Sequence, residues 1–157
     1  MARGDLTLFE EFANYLGGGF TSQTGMDFEN GGDTFKLFIV TSAASVAASA
    51  TTPAYGDWSA NEVSGSNYTA TGATLASQSF NEASGTATFD AADVTWSQAS
   101  GGTSGFTGAY KAILYDDTVT SPADPAICFI DLGGPVNNND GDVTVSWNSS
   151  GIFTVAV

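Results

Sequence analysis

Apolar and polar positions along this chain follow two rhythms, and the change between them comes early. Leu8, Phe9, Phe12, Ala13 and Leu16 recur at the spacing that places them on one face of a helix. Thr7 followed three residues later by Glu10 has the form of a capping box, and Gly17-Gly18-Gly19 reads as the helix stop. Residues 20–33 are Gly-rich and polar, a connector. From Thr34 onward the period is that of strands. Thr34 to Ser42 is almost continuously apolar, as in a strand covered on both faces. Ala87 and Phe89 alternate with Thr86, Thr88 and Asp90, and Val94 and Trp96 alternate with Thr95 and Ser97. Phe106 to Tyr115 is the longest candidate, and Ala126 to Leu132 a second buried strand. At the end, Val143, Val145 and Trp147 alternate with polar residues, Asn148-Ser-Ser-Gly151 turns, and Ile152 to Val157 returns as a hairpin partner.

Short strands parted by Gly, Asn, Asp and Ser clusters predict an all-β fold, a β-sandwich or jelly roll. Residues 1–33 are expected to form a short helical arm and connector, and residues 34–157 the β domain. A helix of about ten residues is marginal alone in water, so its apolar stripe must dock. It packs either on its own domain or on a neighbouring subunit, and Phe9, Phe12 and Leu16 are the candidate anchors. Asn61-Glu-Val-Ser-Gly65 is echoed by Asn81-Glu-Ala-Ser-Gly85, read as two similar turns at strand ends because an array needs further copies.

Composition narrows the chemistry. The 157 residues carry 17 acids against three cations and no histidine, a net charge of −14. Nucleic-acid binding needs basic charge against phosphate, so it is excluded as a role. Without histidine, Ser-His-Asp and Cys-His mechanisms and His-ligated metals are excluded too. Cys128, the single cysteine, lies in an apolar strand and is expected to be an inert buried thiol. Residues 37–56 are uncharged but too rich in Ser and Thr for a membrane span, and Glu10 and Glu11 interrupt any secretory signal. The expected compartment is a reducing cytoplasm.

Several constellations are candidates for a site. Asp116, Asp117, Asp124 and Asp131 are close in sequence, but strand-end acids are ordinary turn residues. Asn137 to Asp142 resembles a calcium loop yet has Val136 and Trp147 where acids are required. Nothing pairs two acids across buried strands as a glycosidase requires. Trp58, in the loop Tyr55-Gly-Asp-Trp58-Ser, is the one aromatic expected to be exposed, which would suit a carbohydrate-binding module. Lys36 and Lys111 each lie mid-strand, either pairing with a carboxylate of their own chain or meeting one at a subunit interface. No catalytic residue, cofactor or metal is expected.

The stretch Phe35-Lys-Leu-Phe-Ile-Val-Thr-Ser-Ala43 resembles a family of small structural proteins of tailed bacteriophages. The resemblance continues through Asn61 to Ala70, Gly72 and Leu75, Ala92 to Trp96, Ala109 to Thr118, and Asp131-Leu-Gly-Gly134, and departs in longer loops such as residues 45–60. It implies a virion component without catalytic residues, and within the virion a capsid decoration or cement protein on the outside of the head shell. The implied partners are the major capsid protein and further copies of this chain, as a dimer or trimer. A tail or head–tail connector component is the alternative. A charge of −14 repels packaged DNA, which favours an outward-facing place on a particle assembled in the host cytoplasm.

Overall fold

The near-continuous apolar stretch after Thr34 forms β2 (Phe35–Thr41), and both of its faces are buried as its composition requires. In the computed structural model, which describes residues 2–16, 25–98 and 100–156, β2 belongs to a five-stranded antiparallel sheet. Its order is β1 (Leu6–Leu8), β8 (Ala126–Val136), β7 (Ala109–Asp116), β2 and β3 (Ala73–Thr74). Gly72 delivers β3 against β2: its φ is +86°, and a Cβ there would overlap the Leu37 carbonyl, so only glycine fits. Where β3 ends, the Tyr68 hydroxyl takes over as a partner for β2 and accepts the Ile39 amide at 2.9 Å.

Two smaller antiparallel sheets complete an all-β architecture. One has the order β10 (Phe153–Ala156), β5 (Thr86–Asp90), β4 (Ser79–Ala83), and the other pairs β6 (Val94–Trp96) with β9 (Val143–Val145). The residues expected as a closing hairpin do not pair with each other. β9 pairs with β6, and β10 pairs with β5. The two small sheets therefore form one interrupted ribbon. Between Phe89 and Val94 one strand takes five steps, while the other takes eight between Val145 and Phe153. The surplus is turned out at Asn148–Gly151, where the Gly151 amide donates to the Asn148 carbonyl and Gly151 has φ +91°.

The even rhythm of the strands sorts side chains into two cores. On one face of the large sheet, Phe35, Leu37, Ile39, Ala112 and Leu114 share a cluster with Phe89, Val94, Val143, Val145 and Phe153 of the small sheets. On the other face, Phe38, Val40, Ile113, Tyr115 and Phe129 are covered by residues 44–58, including α2 (Tyr55–Trp58).

The beginning of the chain departs from the expected helical arm. Leu6–Leu8 is a strand paired with β8, and the helix α1 is only Phe12–Leu16. Thr7 thus lies in a strand rather than at a helix cap. Edge pairing of three residues plus burial of two aromatics outweighs the weak local preference of so short a helix. Phe12, Tyr15 and Phe28 join the first core and Phe9 the second, so the described part of residues 1–33 is built into the β domain. The predicted stop at Gly17-Gly18-Gly19 lies outside the described residues.

Candidate functional site

The predicted contact residues separate on folding. Phe9 is 2% exposed, stacks on Trp58 at 5.4 Å between ring centroids and touches Phe129 at 5.2 Å. Phe12 is equally buried, edge-on to Phe28 and Phe153. Both are core residues and are not free to anchor a partner: the sheet and the loop of residues 44–58 enclose Phe9, and Phe28 and Phe153 pack over Phe12 on the opposite face. Leu16 is exposed at 40%, and Leu8 at 38% joins it as a large apolar side chain at the surface. Trp58, expected in solvent, is buried, and its indole N–H donates to the Ser45 carbonyl at 3.2 Å. That removes the exposed aromatic that the alternative of a carbohydrate-binding module needed. Trp147 is the half-exposed tryptophan instead.

Lys36 makes an intramolecular ion pair with Asp117 at 2.7 Å, the one such pair among the described residues. Lys111 is half-buried between its register partners Val40 and Asp131. Around Lys36 a polar seam runs along the end of the second core. The Glu62 carboxylate accepts the hydroxyls of Tyr68 at 2.6 Å and Tyr55 at 2.9 Å, and the Thr71 amide at 3.3 Å. The Tyr115 hydroxyl donates to the Thr71 carbonyl at 2.9 Å. Burial first, then neighbouring carboxylates, push the Tyr55 hydroxyl up to about 12 and those of Tyr68 and Tyr115 higher still. These hydroxyls hold their protons at neutral pH and act as donors that fasten the loop to the sheet.

The four aspartates do not gather at one point, although Asp124 lies near Asp117 and Lys36: burial and then the Asp117 carboxylate raise Asp124, and Lys36 opposes them. Asp117 pairs with Lys36, the Asp131 carboxylate accepts the Gly133 amide at 2.7 Å, and Asp116 is fully buried on the other side of the sheet. Among the described residues no three metal-ligating side chains gather. Asp116 Oδ1 accepts the Thr118 and Val119 amides, while Oδ2 has no donor among the described residues. Burial, with the Asp33 carboxylate beside it, raises Asp116 to about 7. Nothing in sequence marked this pair, since Asp33 lies in the stretch read as connector and 83 positions separate the two. Burial also holds the Cys128 thiol protonated, pushed up to about 12.

The stretch resembling a calcium loop is a clamp made of amides. Asn137 Oδ1 accepts the Gly108 amide, Asn138 donates to the Trp96 and Ser97 carbonyls, Asn139 Oδ1 accepts the Gly105 amide, and Asp142 Oδ1 accepts the Gln98 amide. The clamp fixes the loops around β6 and β9, beside a concavity that Asp142 and Val143 help to line.

That concavity is an open cleft of about 630 Å³. It lies where the first core opens at the β1 edge of the large sheet. Leu6, Ile130, Leu132 and Val136 form one wall, and Val143, Val145, Trp147 and Ile152 the other. Arg3, Asp5, Asp131 and Asp142 are its charged residues, three acids to one base. Sequence reading missed it because one wall needs the pairing of β1 with β8, and the other, from the end of the chain, meets it only when the small sheets pack on the large one. The alternation that marked Trp147 as inward-facing was its only trace.

Compared with known proteins, the chain matches no family model, no curated protein and no solved structure.

Proposed function

We propose that this chain is a structural part of a tailed-phage virion, a decoration protein that seats on the outside of the head shell and bridges neighbouring capsomers. The observation that carries the reading is the ordered set of fragments, from Phe35–Ala43 to Asp131–Gly134, that resembles small virion proteins. We read the architecture as a β-sandwich, with the five-stranded sheet as one layer and the interrupted ribbon as the other, because strands of both share one core. A sheet buried on both faces resists deformation, which suits a part that must hold seams under internal pressure. The acidic surface favours contact with protein over packaged DNA.

The partner is the major capsid protein, and seating on a lattice axis brings copies of this chain together as a dimer or trimer. A stable seat needs on the order of 1,000 Å² with apolar anchors at its centre. With Phe9 and Phe12 committed to the core, Leu8, Leu16 and Lys111 are the contact candidates left at or near the surface. The test is binding of the purified protein to expanded empty capsids. Saturable binding with a rise in capsid melting temperature is expected, at a copy number that follows the shell lattice. Absence of binding overturns the reading, and a copy number matching a single ring moves the protein to the tail or connector.

A further inference from the structure

We propose that the cleft between β1 and the β9–β10 segment receives an extended, lysine- or arginine-bearing segment of a partner protein, which adds as a strand alongside β1. This rests on the reading of the chain as a part that binds other proteins, and it names the chemistry of what is bound.

Three observations converge on that occupant. The first is a strand edge that no further strand pairs among the described residues. β1 is the outer strand of the large sheet, and the residues on either side of it bond to β8: the Phe9 amide donates to the Ile127 carbonyl at 3.0 Å, and the Asp131 amide to the Asp5 carbonyl at 3.2 Å. Antiparallel pairing alternates, so the main-chain groups of Leu6 and Leu8 point away from β8, and the cleft runs along Gly4 to Thr7 of this edge. Such an edge is a template for a further strand.

The second is charge. Asp5, Asp131 and Asp142 outnumber Arg3 around the cleft, and the whole chain is strongly acidic. A second copy of this chain, with three cations in all, is a poor match, whereas a basic segment is complementary. The third is Trp147. Its indole N–H is used by the Ala92 carbonyl at 3.1 Å and its amide by Asp93 at 3.0 Å, which leaves the half-exposed ring to line the cleft. An aromatic ring among carboxylates is a setting that attracts an ammonium or guanidinium group. Alternate side chains of an added strand would face the apolar walls at Leu6, Ile130 and Val145, and the others the acids.

The experiment uses the full chain and a short synthetic peptide of alternating valine and lysine, with glutamate-for-lysine and threonine-for-lysine peptides and lysine amide as controls. The valine–lysine peptide is expected to bind saturably, to slow hydrogen exchange at the Leu6 and Leu8 amides and to shift the Trp147 indole resonance. The double variant Asp5→Asn, Asp142→Asn keeps the oxygens that accept the Ala2 and Gln98 amides and removes only charge. It should weaken binding about tenfold, the size expected for lost ionic complementarity. No binding of the valine–lysine peptide overturns the inference, as does equal binding of either control peptide, unchanged exchange at Leu6 and Leu8, or lysine amide binding as tightly as the peptide. The capsid assay run alongside separates the two readings: shell binding without peptide binding overturns the cleft alone, and peptide binding without shell binding overturns the decoration role alone.

Discussion

The two faces of the five-stranded sheet are buried by different means. One face is covered by strands, and its core is an aromatic cluster in which Phe28 stacks on Phe35 at 4.9 Å and meets Phe89 and Phe153 edge-on. The other is covered by a loop that packs the small Ala44, Val46, Ala48 and Ala50 on the sheet together with the larger Tyr55 and Trp58. A strand arrives with its main-chain groups already paired, so it covers a core with side chains alone. A loop must find partners for its main chain one by one. Here it does so through the Glu10 amide to the Ala48 carbonyl, the Tyr55 amide to the Asp124 carbonyl, the Ala126 amide to the Pro53 carbonyl, and the tyrosine–Glu62 seam. The strand-covered face is held by packing, and the loop-covered face by packing together with specific polar contacts.

That contrast is open to attack by mutation. The largest effect is expected at Phe35, fully buried, stacked on Phe28 and tilted against Phe89. Phe35→Ala should cost about 4 kcal/mol in a denaturant melt and destabilise both covering layers together. Trp58→Ala on the opposite face should cost about 3 kcal/mol and leave a local signature. Hydrogen exchange should quicken at Val46 and Ala50 while Leu37 on the central strand stays protected; uniform loss of protection would mean that the loop and the strands unfold as one unit.

Next comes the buried acid at the boundary between the sheet and residues 25–34. Asp116 holds a proton in the folded state up to about pH 7, whereas an unfolded chain releases it near 3.8. Between those values the folded state binds more protons than the unfolded one, so this group makes stability fall as pH rises across the window. Asp116→Asn should flatten that part of the stability profile and exceed the parent at pH 8; an unchanged slope would exclude Asp116 as its source. The smallest effect is expected at the seam. Tyr68→Phe leaves the Ile39 amide and Glu62 without a shared hydroxyl and should cost about 1.5 kcal/mol, read as a lowered urea midpoint with an unchanged slope.

Legibility in the sequence followed the range of the interactions. β2 and the first half of β8 could be read because burial on both faces makes a short stretch continuously apolar, and β5, β6 and β9 because burial on one face imposes a period of two. The short strands β3 and β4 were passed over, since Ala73–Thr74 and Ser79–Ala83 have few apolar positions to mark them. The start of the chain was misread because Leu8, Phe9, Phe12 and Leu16 suit a helical face, yet Phe9 and Phe12 end in opposite cores. Trp58 was misplaced for the same reason: a Gly- and Asp-flanked tryptophan reads as exposed until a loop folds it onto Phe9.

By itself the sequence determined the all-β character, the burial of the central strands and Cys128, the acidic surface, and the absence of any histidine-based chemistry. These follow from residue type and from spacing within a few positions, where the chain's own geometry dictates which side chains share a face. Only the tertiary structure decided that β9 and β10 pair apart, that Asp33 lies beside Asp116, and that Arg3, Asp131 and Trp147 rim one cleft. Each of those depends on contacts between distant segments, whose register is set by the fit of whole layers rather than by any local pattern.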